Sequence, residues 1–336
     1  MKLSTMFRAG MGVLKGRLFN SPSPLFMILA LTNRCNSKCN YCKIPQRSGE
    51  ELTTKEIFSL FEQAVALGVQ RIGLWGGEPL VREDLGEIIG YAKKLNLYVT
   101  LDTNGYLLPE KISQLQGLDH LIISFDGSEK ANDANRGSGS FGKVIKALEL
   151  APAHFKTWTI TVLTKNNLEE AAYISDLAKK LGFVATFQLL HHNPKMGENR
   201  PLSPEPEAYR KVLGELMAKK QQGLPIGTSI NCFRHLRDWE DYSQIRKNIP
   251  GSPPCWAGKF FFNVDADGKL YPCSLLVDEV TGLDFRAKGL KAALEALAAP
   301  ACNSCLATCF TEYKLLFNLD FPTILAWMLS MQRLKQ

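Results

Sequence analysis

Six short, β-rich apolar runs alternate with amphipathic stretches between residues 25 and 190, and this alternation narrows the fold more than any other feature of the chain. The runs are Leu25–Thr32, Arg71–Trp75, Leu97–Asp102, His120–Asp126, Thr157–Leu163 and Phe183–Leu190. Between them, apolar residues recur at helical spacing, as Ile57, Leu60, Phe61 and Ala64 do within Thr53–Leu67. Thr53 followed by Glu56 is a capping-box signature for that helix. Strands alternating with helices through short links build a parallel sheet with right-handed crossovers. Six units are too few for a closed eight-stranded barrel and suit a partial barrel or a doubly wound sheet. In both, ligands bind at the carboxyl ends of the strands.

The nine cysteines are unevenly placed: three between residues 35 and 42, five between 255 and 309, and Cys232 alone. An odd total, a long cysteine-free stretch and no secretory signal argue against a disulfide framework and for metal ligands or redox groups. No apolar run is long enough to span a membrane. A net charge of +7 over 336 residues is mild and does not imply nucleic-acid binding. The expected location is the cytoplasm.

Cys35, Cys39 and Cys42 form a Cys-x3-Cys-x2-Cys run directly after the first strand. Tetrahedral zinc would need a fourth ligand, and no His precedes His120 and no further Cys precedes Cys232. Three thiolates on a compact loop suit a [4Fe–4S] cluster with one open iron. A zinc knuckle completed from the distant cysteines is the competing arrangement. Trp75-Gly76-Gly77-Glu78-Pro79 ends the second strand, where the glycines allow close backbone approach and Pro79 fixes the turn. Asp102-Thr-Asn104-Gly105, Ser124-Phe-Asp126-Gly127 and Arg136 put polar groups at the ligand-facing rim; dipeptides such as Asn-Gly and Asp-Gly also serve simply as turns. His191-His192 leaves the sixth strand at the same rim and suits either substrate contact or ordinary hydrogen bonding.

With these motifs the chain resembles the radical SAM superfamily over residues 25 to 309. The resemblance implies a partial (β/α)6 TIM-type barrel with a small C-terminal cysteine-rich domain. It implies that Cys35, Cys39 and Cys42 ligate a [4Fe–4S] cluster whose open iron binds S-adenosylmethionine. Reductive cleavage then releases a 5′-deoxyadenosyl radical that abstracts hydrogen from a substrate. The S-adenosylmethionine site would comprise Tyr41, Gly76, Gly77, Glu78, Pro79, Asn104, Ser124 and Arg136. Gly-Gly-Glu-Pro would accept hydrogen bonds from the ammonium group, Ser124 and Arg136 would hold the ribose and the methionine carboxylate, and Asn104 would lie near the nucleoside. A low-potential donor such as flavodoxin or ferredoxin would supply the electron.

Cys255-x12-Gly268-x4-Cys273 and Cys302-x2-Cys305-x3-Cys309 resemble the SPASM/twitch extension of that superfamily. An expected hairpin, Phe260–Val264 with Lys269–Cys273, brings Cys255 near Cys273. Four of the five cysteines would bind one auxiliary [4Fe–4S] cluster, with Cys255, Cys273, Cys302 and Cys305 favoured over Cys309; structural zinc is the alternative. Ser274 stands where sulfatase-maturing relatives carry an Asp, and little chain precedes Cys35 for a peptide-recognition domain. Both features weigh against a peptide or sulfatase substrate.

The expected domains are a basic amphipathic segment (1–24), the barrel (25–205), a linking helix (206–229), the auxiliary-cluster domain (230–309) and an apolar segment (310–336). Within 1–24, Lys2, Arg8, Lys15 and Arg17 accompany Phe7, Met11, Leu14 and Leu18. Phe310, Leu315, Leu316, Phe317, Phe321, Ile324, Leu325, Trp327, Met328, Leu329 and Met331 fill the last segment. Both ends suit peripheral contact with the inner membrane face, which would favour a lipid substrate, or packing that closes the barrel. The expected activity is thus hydrogen abstraction from a small molecule, lipid or peptide, giving dehydrogenation or bond formation. Radical methyl or sulfur transfer, and a non-catalytic zinc-binding interaction module, are the rival readings.

Overall fold

The computed structural model describes residues 12–13, 16–17, 23–192 and 199–333; Phe7, Met11, Leu14 and Leu18 of the basic segment lie outside them. The βα series runs β1 (Phe26–Thr32), α1 (Thr54–Ala66), β2 (Arg71–Gly76), α2 (Leu85–Lys94), β3 (Tyr98–Thr103), α3 (Leu108–Lys111), β4 (His120–Ser124), α4 (Glu129–Arg136), α5 (Ser140–Leu150), β5 (Thr157–Leu163), α6 (Ala171–Leu181) and β6 (Val184–Leu189). Then come α7 (Pro206–Gln221), α8 (Ile230–Arg237), β7 (Arg246–Lys247), β8 (Phe261–Val264), β9 (Lys269–Tyr271), β10 (Leu283–Asp284), α9 (Phe285–Glu295), β11 (Ser304–Cys305), α10 (Thr308–Phe317) and α11 (Phe321–Arg333). The capping box forms as expected: Thr53 Oγ1 accepts from Glu56 N–H, and the Glu56 carboxylate accepts from Thr53 N–H. α9 is kinked at Gly289 (φ 82°).

β1 to β6 pair in parallel in sequence order, as the six expected strands require. Their residues alternate between two cores. Leu29, Leu74, Leu101 and Ile123 face outward against Ile57, Leu60 and Phe61 of α1 and Ile88 and Ile89 of α2. The opposite face carries Phe26 and Ile28, then Arg71, Asp102, Ser124 and Trp158 at matching alternate positions.

The cysteine-rich half contributes a small two-stranded sheet, β7 with β11, and a hairpin that joins the barrel sheet. Its hairpin adds β8 to the free edge of β1, Phe26 pairing with Phe261, and the full order is β10-β9-β8-β1-β2-β3-β4-β5-β6. Arg47, just past the first cysteine loop, ties to this hairpin through an ion pair to Asp265 and to the segment after it through Asp278. α10 covers the inner face: Phe310, Tyr313 and Phe317 pack on Phe26 and Phe261, and Gln188 of β6 accepts from Thr308 N–H at 3.0 Å. Trp327 of α11 meets Trp158. The apolar C-terminal segment therefore packs against the barrel with part of its surface. Phe321, Leu325, Met328 and Leu329 remain exposed on one face of α11, and the Met331 side chain lies outside those described. No described helix is long and apolar enough to cross a membrane.

Phe317 is buried among Phe26, Phe260, Phe261 and Tyr313. Phe317→Ala should lower stability by about 3–5 kcal/mol in a denaturant titration, the cost of an unfilled aromatic site.

Candidate active site

The loop carrying Cys35, Cys39 and Cys42 leaves β1 at the carboxyl edge of the sheet and is braced at both ends. On the β1 side, Glu51 accepts from Thr32 Oγ1 (2.7 Å) and Asn33 N–H (2.8 Å). On the far side, Asn40 N–H and Nδ2 donate to the carbonyls of Asn135 and Ala134 (2.9 and 2.8 Å). Those carbonyls end α4 and have no intrahelical donor of their own. Donors also reach the sulfurs. Ser37 N–H lies 3.4 Å from Cys35 Sγ, and Ser37 Oγ lies 3.2 Å from Cys39 Sγ. Asn104 Nδ2 and Arg136 Nη1 stand 3.9 Å from Cys35 and Cys39 respectively. Burial pushes the Cys35 thiol up to about 11; the Ser37 N–H opposes this, while Glu78, Cys39 and Cys42 add to it. Burial also raises Cys42. Closely coupled thiols of this kind hold protons until a cation takes their place.

The Gly76-Gly77 turn presses on this loop. Gly77 N–H donates to Thr32 O (2.7 Å) and Glu78 N–H to Arg34 O (2.9 Å). A Cβ on Gly76 would sit 2.4 Å from Thr32 O, and one on Gly77 2.3 Å from Arg34 O. Only glycine fits this approach. Glu78 is fully buried and already committed. Its carboxylate accepts from Leu80 N–H (2.9 Å), Thr103 Oγ1 (2.7 Å) and Asn104 N–H (2.7 Å). Glu78 therefore locks the ends of β2 and β3 together, which leaves the turn's backbone as the part able to meet an ammonium group.

Arg136 differs from the open fork its sequence context suggests. Asp126 engages it, with Nε 2.9 Å from Oδ2, and Tyr41 OH donates to the same carboxylate at 2.9 Å. The guanidinium also lies over the Tyr41 ring. Burial works against the Arg136 charge, but Asp126, Tyr41 and Cys39 outweigh it and hold the charged form. Asp126, expected either as a polar group at the rim or as a simple turn residue, organises this end of the site. Ser124 ends β4 half-buried on the inner face. Asn104 reaches the cysteine loop, donating to Asn36 Oδ1 at 2.7 Å.

The second constellation divides. Cys255, Cys273, Cys302 and Cys305 line one cavity, together with Phe261, Phe310, Arg246 and Lys314. Burial raises all four thiols. Cys309 does not line it. It stands exposed on the first turn of α10, with the Asp102 carboxylate near enough to disfavour its thiolate. Asp102 on the inner face of β3 is itself pushed up to about 7 by burial, against the pull of Arg71. The histidines serve the structure: His192 bonds Asn199 Oδ1 and Ser203 Oγ, and His191, 2.6 Å from Gln188 Nε2, is pushed down to about 4 by burial. Cys232 is a core residue, its thiol 3.7 Å from Thr308 O.

Residues 29–178 match the radical SAM superfamily. An AdoMet-dependent heme synthase from Methanosarcina barkeri is 30% identical over 272 residues, which is 76% of this chain and 78% of that protein. The chain belongs to the radical SAM superfamily. A PqqA peptide cyclase from Gluconobacter oxydans is 31% identical over 266 residues, covering 75% of this chain and 71% of the cyclase. In fold, the chain is similar to Streptococcus suis SuiB bound to S-adenosylmethionine (TM-score 0.68, 16% identity, 85% of this chain and 69% of SuiB). It is also similar to anSMEcpe with bound AdoMet (TM-score 0.61, 19% identity, 90% and 99% covered). This radical SAM protein is an enzyme of the SPASM/twitch type, and its cofactors are S-adenosylmethionine and [4Fe–4S] clusters. The thiol sets and the glycine cradle fit those groups.

Gly77→Ala should keep the circular dichroism of the folded protein but lose most of the iron bound by the first loop, because the added methyl group displaces Arg34. Iron analysis after anaerobic reconstitution checks this.

Proposed function

We propose that Cys35, Cys39 and Cys42 ligate the cluster that binds S-adenosylmethionine, and that the chain abstracts hydrogen from a substrate held at the strand ends. The observation that carries this reading is three thiols on one braced loop, against a glycine turn that admits no side chain. Bound there, the cluster and S-adenosylmethionine supply a 5′-deoxyadenosyl radical by reductive cleavage, chemistry that belongs to the cofactors. The protein's own residues do the rest. Ser37 and Asn104 donate toward the thiolates and tune their basicity. The backbone of Gly76 and Gly77 receives the ammonium group, with Pro79 fixing the turn. Ser124 and Asn104 face the nucleoside, and Tyr41 and Asp126 hold Arg136 as a fixed positive charge beside the methionine carboxylate.

In the same reading, Cys255, Cys273, Cys302 and Cys305 ligate one auxiliary cluster, and Cys309 stays free beside Asp102. The substrate lies at the carboxyl ends of β1 to β6, beside the first cysteine loop. The PqqA peptide cyclases support a peptide as that substrate, and the heme synthase supports a small molecule.

Anaerobically reconstituted protein, reduced with dithionite, should convert S-adenosylmethionine to 5′-deoxyadenosine, and Cys39→Ala should fall to background. Equal rates in parent and variant contradict the proposal. S-adenosylhomocysteine as the main product redirects it to methyl transfer.

A further inference from the structure

Lys314 lies on α10 with 7% of its surface exposed, and its side chain lines the cavity of Cys255, Cys273, Cys302 and Cys305. Its ammonium donates to Ser252 Oγ and Ser304 Oγ, both at 2.7 Å, and those hydroxyls lie 3.2 Å apart. Serine oxygens offer dipoles but no charge. Among the described residues, no carboxylate forms an ion pair with Lys314. The other cation lining this cavity, Arg246, is paired with Glu279. A buried ammonium without a counter-ion is costly, so the fold makes sense when an anion occupies the neighbouring space. Four thiolates around an iron–sulfur core carry net negative charge and would be that anion.

We propose that Lys314 is the electrostatic partner of the auxiliary cluster and sets its reduction potential. This rests on the assignment of those four cysteines under the proposed function. Reduction adds an electron to an already negative group, and a fixed positive charge close by favours the reduced form. The serine pair holds the ammonium in place. With lone pairs turned to Nζ, one hydroxyl can also donate its O–H to the other. Lys314 acts through the cluster and is a positioning residue.

The test uses full-length protein carrying Cys35→Ala, Cys39→Ala and Cys42→Ala, so that only the auxiliary site can load, reconstituted anaerobically with iron and sulfide. A redox titration followed by electron paramagnetic resonance gives the midpoint potential. At the midpoint of that background protein, Lys314→Met should lower the reduced-to-oxidised ratio about tenfold, which is about 59 mV for a one-electron couple. Lys314→Arg, which keeps the charge, should stay near the background value. If the methionine variant does not fold, Lys314→Gln is read in the same way. An unchanged potential on loss of the charge, or an equal fall in Lys314→Arg, overturns the role of Lys314. A background protein that binds no iron overturns the cysteine assignment itself.

Discussion

The close backbone contact between the end of β1 and the Gly76-Gly77 turn is the constraint on which the site depends. The Thr32 and Arg34 carbonyls accept from Gly77 and Glu78, and this fixes where the cysteine loop begins. Glu78 extends the same restraint to β3 through Thr103 and Asn104. The terminal carbonyls of α4 then hold the far end of the loop. Burying Glu78 raises its pKa. Its three hydrogen bonds offset that cost, and in return three strand ends are fixed relative to one another. Three thiols can converge on one cluster only when the loop between them is this restrained.

The two halves of the chain share one sheet. Because β8 extends β1, the hairpin next to Cys273 is set by the strand that launches the first cysteine loop. α10 continues from Cys305 and Cys309 across the inner face of the barrel, so it spans the auxiliary cavity and the space above β3. This explains the division among the five C-terminal cysteines. Cys302 and Cys305 precede α10 and turn toward the hairpin. Cys309, on the first turn of α10, lies near Asp102 instead.

Much of this was legible in the sequence. The β-rich apolar runs mark all six strands to within a residue or two, since each strand buries apolar side chains against the flanking helices. The Thr53–Glu56 cap is a local interaction and was readable for that reason. The edge addition of β8 to β1 was not, because pairing across more than two hundred residues leaves no local signal. The Arg136–Asp126 pair left no trace for a related reason: Asp126 sits in an ordinary Asp-Gly turn, and only the fold brings the two together. Lys314 did leave a trace, as a lone cation among Phe310, Tyr313, Leu315, Leu316 and Phe317, but its meaning depends on a cavity that only the folded chain creates.

The most direct test of the account is a count of iron and acid-labile sulfide on anaerobically reconstituted protein with its two thiol sets removed separately. The account predicts about eight irons in the parent, about four after loss of Cys35, Cys39 and Cys42, and about four after loss of Cys255, Cys273, Cys302 and Cys305. Colourless parent protein that carries zinc in place of iron would contradict it.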